Sequence, residues 1–571
     1  MSADYWLGAI HFVPLDGSGP KIFGFSEFLA GLALMVLAWT IGDVRYRFRV
    51  RTAPIPLYAV TFWVVAAVGV LTLLTDLWRA QEWLVPEGDI VTPAAWQAIL
   101  AGTFLLTFLA WAWYAFMRPP VYGRINARRF ARALYVAILK GSPSELEVIA
   151  GELAYSAKPL IRYASERERF RPPEGGQDAA APPSVTRFAN DILLLIADKR
   201  FCRAVVTSSP VTALALFQEV AEAKKYGVQV RTFARNLVSE AFANRDSFLF
   251  HEGEGYESGL LGYHRPLSQA MFSNYNMVET VGSLLAPDFR ALRGWDSSQW
   301  EAYCRIVLMT LRDYVEKEYW EHSTALYGAK DNIEQAVSDL HKLNGVASVK
   351  WDDDVLDRLR VVVEFIEDAI ETLDKKKVPD HLVKRVRDRH RQRASFYDHL
   401  ADLIFEVITH ASRVTSPWLL CWHIQHNSLW NKLFNFGRLD SPAGKIVKFK
   451  VRRLLYDEVA DMEKTSPNFL GASILGFCLN VMGFPLSEED HDRDSRPLQK
   501  AILSWTRKNF AWLHAYNPRV AEACLVDRIT FDTENLRLVK TYPVEDLRRE
   551  ASYVYFNVAP PRATTPEPPP P

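Results

Sequence analysis

The chain has 571 residues, 49% of them hydrophobic and 23% charged, with 67 basic residues against 67 acidic ones. That length is too great for one small core and predicts two or three structural units, while the balanced charge argues against a nucleic-acid binder. Five scattered cysteines (Cys202, Cys304, Cys421, Cys478, Cys524) form no CxxC pair, which argues against a disulfide framework or a zinc site and predicts buried free thiols in a reducing cytoplasm.

The averages conceal a division along the chain. Residues 94–117 carry no formal charge, whereas residues 352–393 are dense with charge of both signs. A helix needs about 20 apolar residues to span the hydrocarbon core of a bilayer. Three windows supply them, at 22–42, 57–75 and 94–117. Three such runs in succession predict transmembrane helices rather than the buried helices of a soluble protein. The first window lacks a basic stretch before it and is followed by arginines instead of a small-residue cleavage site, so it reads as a retained span and not a signal peptide.

Loop charges set the expected orientation. Arg45, Arg47, Arg49 and Arg51 lie between the first two spans, acidic Asp76, Glu82, Glu87 and Asp89 between the second and third, and Arg118, Arg124, Arg128, Arg129 and Arg132 after the third. The positive-inside rule puts the first loop and everything after the third span in the cytoplasm, with residues 1–21 outside and Trp78, Trp83 and Trp96 in the outer aromatic belt. Compact spans without eukaryotic targeting signals suggest a bacterial inner membrane. No Asp, Lys, Arg or His sits mid-span, which argues against a conventional transporter. Glu27 reads as an interfacial carboxylate, with a pore-mouth role as the functional alternative. Ala98 and Gly102 form a small-xxx-small pair of the kind that lets a second helix approach.

Beyond Met117 the pattern is that of helices with polar faces. Helices are predicted at 124–140 and 144–164, and the Pro-, Gly- and charge-rich residues 166–184 read as a linker. Ser209-Pro210 starts another helix, and residues 228–233 are a candidate short strand. The clearest helix covers 352–377, opened by Asp352, Asp353 and Asp354 and closed by Lys375, Lys376 and Lys377, as the helix dipole favours. After Val378-Pro379 a second long helix to about Ser412 completes an antiparallel hairpin. The apolar run 469–484 is short for a span and contains Asn480, so it reads first as a core helix and second as a re-entrant segment. Residues 528–542 flank a Thr-Glu-Asn turn and predict a β-hairpin; the Pro-rich tail 559–571 predicts disorder. The expected fold is therefore mainly α: an external segment (1–21), a three-helix transmembrane domain (22–117), juxtamembrane helices (118–165), a linker (166–184), a large helical cytoplasmic domain (185–558) with a small β-hairpin, and the tail.

No phosphate-binding loop, HExxH, GxSxG or calcium-loop motif occurs. Four weaker constellations remain. Gly253, Gly255, Gly259 and Gly262 form a glycine-rich loop, but Glu252, Glu254 and Glu257 would repel a phosphate. His399, Asp402, Glu406 and His410 fall at about 0°, −60°, −20° and +20° around a helix, a stripe that is either a metal-ligand set or a solvated face. His423 and His426 have a ligand-like spacing without a third partner nearby. Lys384, Arg385, Arg387, Arg389, Arg391 and Arg393 form a basic run suited to anionic lipid, though neighbouring carboxylates also allow a salt-bridged face. No cofactor is implied. The leading expectation is a non-catalytic membrane sensor or effector, partnered by the bilayer and by a second copy or another protein. A membrane-tethered enzyme with a nonlocal, metal-dependent site is the competing class.

Overall fold

The structure is a computed structural model. It describes residues 5–7, 10–15, 21–86, 92–166, 183–252, 266–320, 322–346, 353–376, 395–435, 438–486, 494–526, 528–542, 544 and 550–561. The chain is mainly helical with two small three-stranded sheets among the described residues. It separates into two compact units, Met1–Phe248 and Leu249–Pro571.

The first unit begins with strands β1 (Tyr5–Leu7) and β2 (Ile10–Pro14), which pair antiparallel; β2 is the central strand and pairs on its other edge, again antiparallel, with β3 (Leu84–Pro86). Between β2 and β3 lie helices α1 (Phe25–Ile41), α2 (Val44–Thr52) and α3 (Leu57–Ala80); α4 (Pro93–Ala112) follows and runs on as a π turn, Trp113–Met117. Two of these helices, 57–80 and 93–117, are long and apolar enough to cross a membrane; the count rises to as many as four if each of two bent helix pairs is one span. At 1.5 Å per residue the 17 residues of α1 reach about 26 Å, just under a ~30 Å hydrocarbon core. One bent pair is α1 with α2, which turns through 106°.

The N-terminus of α1 is fastened to its neighbours. Asp76 Oδ2 accepts from Phe25 N at 2.8 Å and pairs with Lys21 Nζ at 3.0 Å, while Gln97 Oε1 accepts from Ile22 N at 2.8 Å. Glu27 Oε2 accepts from Gly24 N at 2.9 Å and from Ser26 Oγ at 3.0 Å, so this carboxylate closes the first turn of α1. Phe28 packs on Gly69 of α3 so closely that a Cβ there would lie 2.7 Å from its ring. Near Gly102 no atom lies within 4 Å of the corresponding position. Trp78 and Trp83 meet edge to face at 4.9 Å beside β3, and Trp96 Nε1 donates to Thr75 Oγ1 at 3.1 Å.

The rest of the unit is a helical bundle: α5 (Ala127–Lys140), α6 (Pro143–Leu153), α7 (Ala157–Tyr163), α8 (Ser184–Leu195), α9 (Lys199–Ser208), α10 (Pro210–Glu222) and α11 (Arg231–Ala243). Ser142 and Glu145 form a capping box, each side chain taking the other's backbone N–H, and Pro143 fills the first helical position. Ser209 departs from its expected capping role: α10 starts at Pro210, but the Ser209 hydroxyl donates to Glu147 O at 3.3 Å. The candidate strand at 228–233 is instead a turn leading into α11, whose Phe233, Leu237, Val238 and Phe242 are buried at helical spacing.

The longer helices of the second unit are α12 (Ser297–Glu316), α13 (Thr324–Glu334), α14 (Asp354–Asp374), α15 (Phe396–Ser412), α16 (Pro442–Lys464), α17 (Phe469–Met482) and α18 (Arg496–Tyr516). Asp353 caps α14 by accepting from Val355 N at 2.9 Å. The start expected for the following helix lies outside the described residues, as do the Lys384–Arg393 run, nearly all of the linker and of the Pro-rich tail, and the four glycines of the acidic loop. The apolar α17 is the centre of this unit's core, covered by α15, α16 and a π-helical segment, His423–Asn435. Strands β4 (Ile529–Asp532), β5 (Arg537–Tyr542) and β6 (Ser552–Asn557) form an antiparallel sheet in the order β4-β5-β6.

Candidate functional site

The sequence of α2, VRYRFRVRT, alternates arginine with apolar residues. In a strand that alternation would put every arginine on one face. In a helix it places Arg45 and Arg49 on one face and Arg47 and Arg51 about 200° away. The two pairs have separate surroundings.

Arg49 is buried and grips Glu152 of α6 with two parallel bonds, Nε to Oε2 at 2.7 Å and Nη2 to Oε1 at 2.8 Å. Such fork-to-fork geometry is the strongest form of a charge-assisted hydrogen bond. Its remaining nitrogen, Nη1, donates to Ala115 O at 3.3 Å in the π turn that ends α4, where carbonyls lose their helical partners. Arg45 Nε approaches the same carboxylate at 3.5 Å. One guanidinium thus joins α2, the end of α4 and the bundle helix α6. Burial penalises Arg49, but the bonds to Glu152 outweigh that penalty and raise its pKa further.

Neighbouring bonds reinforce the junction. Asn126 Nδ2 donates to Thr52 O at 2.7 Å and to Val121 O at 3.0 Å, and Arg129 donates to Pro54 O. Tyr122, in the link from α4 to α5, takes Ser156 Oγ as the acceptor of its N–H at 3.1 Å and donates its hydroxyl to Val185 O. Phe48 meets Phe130 edge to face at 5.7 Å. The segments that lead from α2 and α4 into the bundle are thus held by these side chains as well as by the chain itself. On the opposite face of α2, Arg47 and Arg51 line a 120 Å³ groove with Lys140 of α5 and Glu145 of α6.

The sequence-predicted residues lie elsewhere, in the second unit. His399, Asp402, Glu406 and His410 share a side of α15 but are spread over three turns, about 16 Å along the axis from first to last. Angular agreement without axial proximity gathers no ligands, and among the described residues no group of three or more His, Cys, Asp or Glu side chains is placed to hold a metal ion. Nor is the stripe a solvated face. His399 is 3% exposed, sits 5.1 Å from the Tyr327 ring and 5.7 Å from His322, and has no hydrogen-bond partner at either ring nitrogen. Burial, aided by His322 and Lys330, pushes its pKa down to about 4. His410, 4.0 Å from Glu334, is pushed down to about 4 by burial and then by Arg413 and His341. Asp402 and Glu406 are half-buried between them.

His423 and His426 stand on the wider π turn and take different partners. His426 stacks on Trp422 at 3.8 Å, and His423 Nε2 lies 3.5 Å from Ser428 Oγ. Glu252, the one described acid of the glycine-rich loop, caps the helix Pro266–Phe272 by accepting from Leu267 N and Ser268 N. No protein-family model, curated protein or solved structure matches the chain. In the sequence Arg49 is one of four equivalent loop charges, and nothing in the RxRxRxR run marks it as the one that meets Glu152, 103 positions away.

Proposed function

We propose that the protein is an integral membrane sensor or effector whose spans α1, α3 and α4 are coupled to a cytoplasmic helical domain through the Arg49–Glu152 junction. In this reading β1–β3 lie outside and α2 and all residues after Met117 lie in the cytoplasm of a bacterial cell. The arginines of α2 and those following α4 support that orientation. The α1–α2 turn supports counting α1 as a third span that ends at the cytoplasmic interface. The observation that carries the coupling is the bidentate pair itself. A simple anchor needs no buried charge tying its connecting helix to the soluble part, and such a pair is costly to desolvate unless geometry repays it.

In this reading the spans self-associate, the open face at Ala98 and Gly102 leaving room for a second copy. The test is reconstitution of purified protein into liposomes, with mass and ion conductance measured for wild type, Arg49→Gln, Glu152→Gln and the double variant. Coupling predicts that each single change alters assembly or conductance and that the double change is less damaging than the two singles summed. Single variants indistinguishable from wild type would remove the coupling, and release of wild type from membranes by alkaline carbonate would remove the spans.

A further inference from the structure

We infer that the groove between α2 and α5 is a binding site for the headgroup of an anionic phospholipid. Its floor is apolar, from Val44 and Phe48 of α2 and Val136 of α5, and its rim is cationic, from Arg47, Arg51 and Lys140. Arg51 and Lys140 are exposed and have no acidic partner among the described residues; Arg47 reaches only Glu145, at 3.8 Å. Three cations over one carboxylate leave the groove with an excess positive charge. Val44 stands three residues beyond Ile41, the last residue of α1, so the groove opens where that helix ends.

Apolar surface continues outward along α5, where Val136 is 39% and Leu139 55% exposed beside Lys140. A free phosphate satisfies the cations but leaves these side chains in water. A phospholipid satisfies both, placing its phosphate between Arg51 and Lys140 and its upper chain on Val136 and Leu139. The same helix α2 carries Arg49 on its far face, so a lipid seated between Arg51 of α2 and Lys140 of α5 bridges the element that bears the Arg49–Glu152 tie to the bundle. The lipid therefore stabilises the docked position of α2. The inference rests on the bilayer placement proposed above.

The experiment uses full-length protein in detergent micelles, with lipid binding followed by native mass spectrometry. Phosphatidylglycerol and phosphatidylcholine of identical chains are titrated separately, and glycerol 1-phosphate is added as a headgroup without chains. A cation near an anionic headgroup strengthens binding by about fivefold. Arg51→Gln with Lys140→Gln is thus expected to weaken phosphatidylglycerol binding roughly 30-fold, with phosphatidylcholine unaffected. Val136→Glu, which brings a carboxylate into the groove, is expected to weaken it similarly. Equal affinity of wild type for the two lipids overturns the proposal, as does undiminished phosphatidylglycerol binding by both variants. Displacement of the lipid by glycerol 1-phosphate at the lipid's own affinity also overturns it, because the chains then contribute nothing. Carbonate extraction judges the bilayer placement separately: a carbonate-resistant protein without lipid preference defeats this inference alone.

Discussion

At the scale of single residues, energy is concentrated where charge or polarity is buried. Truncating one partner of a buried ion pair costs about 3–5 kcal/mol, because the other is left uncompensated. Arg49→Gln or Glu152→Gln should therefore lower the thermal midpoint in detergent sharply, whereas Arg47→Gln, at an exposed position, should hardly move it. His399 and His410 act through protons. Their folded pKa values lie near 4 against an ordinary 6.5, so the unfolded chain binds protons first as pH falls. Both contributions are intact above about pH 6.5, decline between 6.5 and 4, and are fully lost below. Each amounts to about 3 kcal/mol at most. His399→Phe suits a site ringed by His322, Tyr327 and Phe396 and removes two unpartnered nitrogens. It is expected to match or exceed wild-type stability at pH 5 and to flatten the slope of unfolding midpoint against pH between 6.5 and 4. An unchanged slope would mean that His399 does not carry it.

Among the elements, α1 and α3 depend on one close approach. Phe28 fills the space that a side chain at position 69 would need. Gly69→Val should cost about 1–3 kcal/mol by overpacking, read as a fall in the midpoint, and Phe28→Ala should restore part of the loss in the double variant. Helix α17 has a different dependence. It is apolar along its length, yet Asn480 donates to Gln425 Oε1 at 3.0 Å and to Cys421 Sγ at 3.4 Å, and its carbonyl accepts from the buried Lys540 Nζ at 2.8 Å. Burial pushes Lys540 down to about 8. The Asn480 amide thereby fixes the rotation of α17 against Gln425 and Cys421, which explains a polar residue in so apolar a helix, while the backbone carbonyl alone meets β5. Asn480→Leu strands Gln425 Oε1 and is expected to cost about 1–3 kcal/mol, measured by denaturant unfolding.

For the whole molecule, the bundle following Met117 shares its packing with α2. Phe130, 1% exposed, packs under Phe48 of α2, and Glu152 has Arg49 as its bidentate partner. A fragment starting at residue 118 exposes that ring and leaves the carboxylate without its partner. It is expected to elute as aggregate in size-exclusion chromatography, and Glu152→Gln should recover some of it. A fragment as monomeric and as heat-stable as the full chain would show that α2 contributes nothing to the bundle.

The sequence by itself determined what depends on composition and period. Apolar runs longer than 18 residues, the buried stripe of α14, the apolar run of α17, the breaks at Gly141-Ser142-Pro143 and before Pro210, and the turn between β4 and β5 are each written in neighbouring residues. Local chemistry suffices there, because helix and turn formation answer to residues a few positions away. Partnership across the chain was not legible. Arg49 and Glu152 are 103 positions apart, and a pattern of arginines says nothing of which one will be buried. The stripe from His399 to His410 showed the opposite failure: angle was readable from the period, but two of the rings against His399, Tyr327 of α13 and His322 just before that helix, come from a distant part of the sequence. The pairing of β2 with β3 likewise joins segments separated by the whole of α1 to α3. Periodicity assigns a face to each element; only packing decides what that face meets, and so which charges are paired and which are left at the surface to bind something else.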